Sequence, residues 1–392
     1  MPNSQQSCTH LLTTAKNDLK LIVDDVQRLV ALETYSYDKG ALDSGLALLS
    51  SIVEERVGSP DFQERFDGGQ FGDCLHLRFD GTSENSVLFV GHYDTVWPSG
   101  TLESWDSHQG TSEDGREFLS GPGIFDMKTG LVQAVWITKY LKESGTPFPT
   151  IHLLFNGDEE LGSQFSRPYI EKVARSVNAA FVFEASHRGL IKTQRKGVGL
   201  IGVEAEGVES HAGLNPEDGA SAINALMEFC LAASRLASPE KGTTVNVGLI
   251  KGGSGSNVVA GKANAEIDIR ISTQSELERL DKELDEISWS DSRVTVRVKK
   301  DWNRPPMEFT EANKSLFQTA KEAAGEIGIE LESTSVGGAS DANFISALGT
   351  PVLCGIGAEG AGAHARYEHV FPQEIPKFIE LIAGTVQKLS SK

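Results

Sequence analysis

Three short apolar runs, Ser86 to Val90, Ile151 to Phe155 and Ala179 to Phe183, each pass directly into residues that carry an imidazole or a carboxylate. The first runs into Gly91-His92-Tyr93-Asp94, the second into Asn156-Gly157-Asp158-Glu159-Glu160, and the third into Glu184. A helical pattern over residues 129–142 lies between the first two. Short apolar strands alternating with helices predict a mostly parallel α/β sheet flanked by helices. Open sheets of this kind place their sites at the carboxyl ends of the strands, where all three groups fall. Gly121-Pro122-Gly123-Ile124-Phe125-Asp126-Met127-Lys128 adds an acid in a glycine-rich loop ahead of that helix, and Gly362-Ala363-His364 adds a second imidazole.

Taken singly, these residues have ordinary explanations. His92 alone reads as a structural histidine, Asp126 as a helix cap, and Glu159-Glu160 as a solvated charge run. Glu184 is harder to dismiss, because an unpaired acid after Phe-Val-Phe is costly to bury. Together they form a set of nitrogen and oxygen donors without a thiolate, which suits hydrolytic zinc or a similar divalent ion. Adjacent glutamates fit a division in which one binds metal and the other handles protons.

The rest of the chain predicts two domains, as 392 residues would suggest. Helices are expected over residues 16–32 and 43–55. After Gly189 the texture changes. Strands at 198–206, 244–250, 263–271 and 293–299, with helices at 220–236 and 275–287, follow the β-α-β-β-α-β order of a ferredoxin-like unit. Trp302-Asn303-Arg304-Pro305-Pro306 is expected to be its exit linker. A helix at 312–327, an apolar run at 351–356 and a closing helix at 376–389 resume the first pattern. The expected division is a catalytic metal-binding domain of residues 1–194 and 304–392, with an inserted dimerisation or lid domain of residues 195–303.

A net charge of −19 disfavours nucleic acid and anionic membrane as partners. No apolar run approaches the roughly 18 residues of a membrane span. The N-terminal stretch lacks the pattern of a secretory leader, so the cytoplasm is the expected location. Cys8, Cys74, Cys230 and Cys354 are scattered, without a C-x-x-C pair. Three of them sit in or beside apolar runs and read as small core residues.

The sequence resembles the dinuclear zinc exopeptidase family of glutamate carboxypeptidase, aminoacylase, acetylornithine deacetylase and succinyl-diaminopimelate desuccinylase. Five blocks carry the resemblance in order: GHYDTV, GPGIFDMK, NGDEELGS, the glutamate of FEAS, and GAHARYEHV. SHAG and GGSGSN in the inserted segment agree with it. The resemblance implies two divalent metal ions, zinc first and cobalt or manganese as alternatives. His92, Asp126 and Glu184 would hold one; Asp126, Glu160 and His364 would hold the other. It further implies Glu159 as general base and Asp94 as the residue that orients His92. His211 would be an oxyanion donor acting across a homodimer, Arg270 and Asn257 would bind the substrate carboxylate, and Gly338 of GGASD would belong to a backbone wall of the pocket. Glu184 and GGASDANF favour the glutamate carboxypeptidase branch, acting on a small molecule or short peptide with a free carboxylate. Thr129 departs from the glycine that many members have there, outside the expected ligands.

Other readings stay open on the same residues. A deacylase of N-acyl amino acids, or a hydrolase of an unusual amide or aryl-amine, would use the same ligands. A nucleotide-binding protein is disfavoured, because Gly252-Gly253-Ser254-Gly255-Ser256 leads into the alternating strand at 263–271 and not into a helix N-terminus. A binding protein without catalysis would be expected to lack a ligand or the base, and neither is missing.

Overall fold

The computed structural model describes residues 14–390, so Cys8 and the reading of the N-terminal stretch fall outside the described residues. Two compact units emerge. The first holds the described residues up to Gln194, Phe309–Ser335 and those from Ser340 onward; the second holds Arg195–Glu308 and Val336–Ala339.

The first unit is built on an eight-stranded sheet in the order β1-β2-β6-β3-β7-β14-β8-β13. Its members are β1 (Phe62–Phe66), β2 (Cys74–Phe79), β3 (Ser86–His92), β6 (Thr150–Asn156), β7 (Ala179–Val182), β8 (Ile191–Arg195), β13 (Ser333–Val336) and β14 (Val352–Cys354). The central strands β6, β3, β7 and β14 run parallel. They read as continuous apolar runs because both faces are covered, as parallel sheets require. Helices α1 (Leu19–Ala31), α2 (Lys39–Val57), α3 (Thr129–Glu143), α4 (Arg167–Ala174), α7 (Glu311–Glu326), α8 (Ala342–Ala347) and α9 (Ile375–Leu389) complete this unit. Phe89, Phe181 and Phe183 pack edge to face in the core, with ring centroids 5.6 and 5.1 Å from Phe89. Each such buried ring contributes roughly 1.5–3 kcal/mol.

β1 and β2 do not stand out in the sequence. They form an antiparallel hairpin on the edge of the sheet, and Gln63, Glu64 and Arg65 interrupt any apolar run. The short strands β4 (Gln109–Thr111) and β5 (Glu117–Ser120) pair with each other in a separate small sheet.

The second unit carries β9 (Gly197–Glu206), α5 (Ala222–Ser234), β10 (Thr244–Gly252), β11 (Lys262–Ile271), α6 (Gln274–Asp285) and β12 (Thr295–Arg304). Its antiparallel sheet has the order β10-β11-β9-β12, the ferredoxin-like arrangement. Ala263, Ala265, Ile267, Ile269 and Ile271 alternate inward to the core beside α5 and α6. One expectation is corrected here. Trp302, Asn303 and Arg304 do not form a linker but extend β12, where Arg304 pairs with Val198 beyond an irregularity in register. The ladder ends at Pro305, which has no N–H to offer it.

No helix among the described residues is long and apolar enough to cross a membrane. Cys74, Cys230 and Cys354 are buried and form no disulfide with one another.

Candidate metal centre

Parallel pairing of β3 with β6 sets His92 beside Asn156, so the chain segments beyond both strands leave the sheet at one edge. β7 pairs with β3 on the other side and delivers Glu184 to the same edge. A methyl at Gly157 would meet the Tyr93 ring at 2.5 Å, so glycine is needed where the two segments pass.

Asp94 is fully buried and organises the front of the site. It accepts hydrogen bonds from the Glu159 and Glu160 backbone N–H groups, each at 3.2 Å, and from Ser36 Oγ at 2.9 Å. His92 Nδ1 lies 3.0 Å from the Asp94 carbonyl and 3.4 Å from its Oδ1. That fixes the ring so that Nε2 faces the carboxylates, the support that metal-bound imidazoles commonly have.

The Asp126 loop is shaped by Gly123 at φ +74, where a Cβ would meet Thr95 Cγ2 at 2.4 Å. It is held by Glu368, a residue outside the expected site set. This buried carboxylate accepts from the N–H groups of Gly123, Phe125 and Asp126 at 3.1, 2.9 and 3.0 Å, and from Trp97 Nε1 at 2.9 Å. Glu368 reaches the loop because β16 (His369–Val370) pairs with β5 through His369 and Ser120. β16 also pairs with β15 (Gly360–Ala361), and His364 sits in the intervening loop at φ +61. The available signal was an acid four residues after His364 in the same block.

Asp126 stands between the two imidazoles. Its Oδ1 is 3.2 Å from His92 Nε2 and its Oδ2 is 3.4 Å from His364 Nε2. His364 Nε2 is also 3.2 Å from Glu160 Oε1. His92 Nε2 lies 3.7 Å from Glu184 Oε1 and 4.0 Å from Glu159 Oε2. Donor atoms of His92, Asp126 and Glu160 all fall within 4.8 Å of one another, as do those of His92, Glu159 and Glu184.

The electrostatics fit a cation. Hydrogen bonds that the His364 ring donates to Asp126 and Glu160 push its pKa up to about 11. Burial opposes charge on His92, yet Asp126 and Asp94 outweigh it and raise its pKa well above the usual value. Burial opposes ionisation of Asp126 as well, but the two imidazoles hold it far below the usual carboxylate range. Burial lifts Glu160 to about 7 against the pull of His364. Asp126, Glu159, Glu160 and Glu184 thus surround two imidazoles and favour a proton on each ring. Divalent ions bound to the same nitrogen and oxygen atoms would replace those protons, and no thiolate competes.

The remaining expected residues lie in the second unit. His211 is exposed, and its Nδ1 accepts from the Gly213 and Leu214 N–H groups, both at 3.1 Å. Nδ1 being an acceptor, the neutral ring carries its proton on Nε2. The Ala212 N–H donates to the Asn257 carbonyl at 2.9 Å, which joins those two loops. Arg270 is engaged by Asp268 two residues earlier, with Nε 2.9 Å from Oδ1 and Nη2 2.8 Å from Oδ2. The Gly338 carbonyl accepts from Arg195 Nη1 at 3.0 Å.

Residues 88–388 match the family described as peptidase family M20/M25/M40. The chain is 28% identical to carboxypeptidase G2 of Pseudomonas sp. (strain RS-16), over 97% of this chain and 92% of that one. It is 26% identical to a succinyl-diaminopimelate desuccinylase of Verminephrobacter eiseniae, over 91% and 93% of the two chains. Its fold is similar to that of aminopeptidase PepT from Bacillus cereus, with a TM-score of 0.75 at 21% identity over 95% and 99% of the chains. An M20 family metallo-carboxypeptidase from Sulfolobus solfataricus has a TM-score of 0.73 at 17% identity, again over 95% and 99%.

Proposed function

The chain belongs to peptidase family M20/M25/M40, a family of metal-dependent peptidases, and from that premise we propose that it cleaves an amide bond next to a free carboxylate, as a glutamate carboxypeptidase does. The observation that carries this reading is Asp126 set between His92 and His364, with Glu184 and Glu160 on either side. His92, Asp126 and Glu184 would hold one divalent ion, and Asp126, Glu160 and His364 the other. Zinc is the metal proposed, with cobalt and manganese as substitutes. Bound there, the ions would supply Lewis-acid polarisation of the scissile carbonyl and a lowered pKa for the attacking water.

The chain's own residues divide the remaining work. The Glu159 carboxylate takes a proton from the attacking water and gives it to the departing amine nitrogen, so that one water adds across the broken C–N bond. Asp94 keeps the His92 ring in register and fixes the turn that carries both glutamates. His211 offers its Nε2–H to the oxyanion of a partner subunit's substrate. Arg270 uses the guanidinium N–H groups that Asp268 does not take, and with Asn257 binds the substrate carboxylate. Gly338 contributes backbone to the pocket wall.

The homodimer that this requires has support in the inserted unit, which we assign to dimerisation. β10 is an edge strand with exposed Leu249 and Ile250, and the adjacent α5 exposes Met227 and Leu231 one turn apart. Edges and apolar patches of this kind invite a second copy.

A second reading, deacylation of an N-acyl amino acid, is favoured by the likeness to a desuccinylase along nearly the whole chain. Dipeptides and N-acyl amino acids ending in Glu, Ala or Arg, assayed before and after exhaustive chelation, separate the two. Hydrolysis of the C-terminal glutamate substrates, lost on chelation and restored by zinc, cobalt or manganese, is expected. Undiminished turnover in metal-free protein would end the proposal.

A further inference from the structure

Asp341 precedes α8 without capping it. Its carboxylate turns instead to a different part of the chain. Oδ2 accepts from Asn156 Nδ2 at 3.0 Å, and Oδ1 accepts from Ser163 Oγ at 2.5 Å. All three side chains are buried. Asn156 is the last residue of β6, and the Ser163 N–H donates to the Asp158 carbonyl at 2.8 Å to close the turn that carries Glu159 and Glu160. One carboxylate therefore ties together the start and the end of that turn.

The tie has conformational work to do. Ser163 sits at φ +53, a left-handed region that a residue with a Cβ enters only when its surroundings impose it. The bond from Ser163 Oγ to Asp341 Oδ1 grips the residue at its side chain. From the opposite side, Asp94 holds the N–H groups of Glu159 and Glu160. The turn is thus held in front by Asp94 and behind by Asp341.

We infer that Asp341 is a positioning residue, which fixes where Glu159 and Glu160 point by clamping Asn156 to Ser163. The inference rests on the roles proposed above for the two glutamates. Outer partners of metal ligands typically influence metal affinity about 10–100-fold, because donor positions must be met within tenths of an ångström. An ordinary buried hydrogen bond would instead affect melting of the protein and leave its metal affinity alone.

The test uses the full-length dimetal protein and three variants, Asp341→Asn, Ser163→Ala and Ser163→Gly. Metal affinity is measured by chelator competition, kcat and KM separately, and melting on the metal-free form. Asp341→Asn should weaken the affinity for one metal by about tenfold or more, and lower kcat while leaving KM little changed. Ser163→Ala should move the same quantities less far. Ser163→Gly should recover part of that loss, because glycine enters φ +53 freely although it too lacks the hydroxyl. The effects of Asp341→Asn and Ser163→Ala combined should fall short of their sum, since they share one bond. Wild-type metal affinity and kcat in Asp341→Asn would overturn the inference, as would a glycine variant no better than the alanine one. If Asp341→Asn fails to fold, the Ser163 pair decides the question. If the wild-type protein cleaves none of the amides offered, the proposed function falls while the metal affinities still test the clamp.

Discussion

Glu159 and Glu160 are sequence neighbours with different surroundings. Glu160 Oε1 lies 3.2 Å from His364 Nε2, whereas Glu159 Oε2 looks toward His92 at 4.0 Å. Replacing Glu159 with Gln should leave both metals bound and reduce turnover by about 10²–10⁴-fold, because the amide cannot accept the water's proton. Replacing Glu160 with Gln should release metal first and lose activity as a consequence. Metal content and kcat measured on the same samples distinguish these outcomes, and the reverse pattern would mean that the pair was assigned the wrong way round. At this scale most of the site was legible. His92, Glu159, Glu160 and Glu184 each follow an apolar run of strand length, so sequence position reported spatial position. Glu368 was legible only as an acid in the His364 block; its role was not, because it acts on backbone N–H groups of a loop far away in the chain, and backbone donors leave no trace in residue identity.

Helix α3 and strand β7 meet at a contact that the sequence does not announce. A Cβ on Gly130 would lie 1.9 Å from the Phe183 carbonyl oxygen, a backbone atom that cannot step aside. Gly130→Ala should force the helix away from the strand end that presents Glu184. Denaturant unfolding should show a loss of about 1–3 kcal/mol, the usual scale for overpacking, together with weaker metal binding. If the variant matched the wild type in both, this contact would not govern the site. On the other flank, strands β2 and β6 place His76 Nε2 2.9 Å from His152 Nδ1. Burial lowers both imidazoles from 6.5 to about 4. Between those values the unfolded chain binds protons that the folded chain refuses, so stability falls as pH drops from about 6.5 to 4. The pair should account for a loss on the order of 2 kcal/mol over that window, after allowing for solvent screening. Comparing the pH dependence of unfolding in wild type with that of a His76→Gln, His152→Gln variant isolates this contribution; parallel curves would refute it. Strands β1 and β2 were not expected, because Glu64, Arg65 and Arg78 break the apolar pattern, although Leu75, Leu77 and Phe79 of β2 join the core once the hairpin pairs with β6.

For the molecule as a whole, the consequential question is whether one subunit completes the site of another. His211→Ala and Glu159→Ala homodimers should each be nearly inactive, since an oxyanion contact is typically worth about 2.7–4 kcal/mol of transition-state stabilisation. In a mixed dimer, the chain bearing His211→Ala keeps its own Glu159 and receives an intact His211 from its neighbour. Free exchange of equal amounts makes half the dimers mixed, each with one complete site. About a quarter of wild-type activity should therefore return, given a closed two-fold dimer. Mixtures that demonstrably exchange subunits yet stay inactive would refute action in trans.

The sequence by itself determined the fold class and, through the family resemblance, named the candidate metal ligands. Hydrophobic runs of fixed length dictate which segments are strands, and the polar residues that end them must emerge at one edge of a parallel sheet. The alternation from Ala263 to Ile271 likewise determined a half-buried strand before any partner was known. The tertiary structure decided what depends on distance between remote segments. It set Asp126 between two imidazoles, brought Glu368 to the Asp126 loop and joined Asp341 to Ser163. Hydrogen bonds and ion pairs act over a few ångströms, and only the folded chain brings residues tens to hundreds of positions apart within that range.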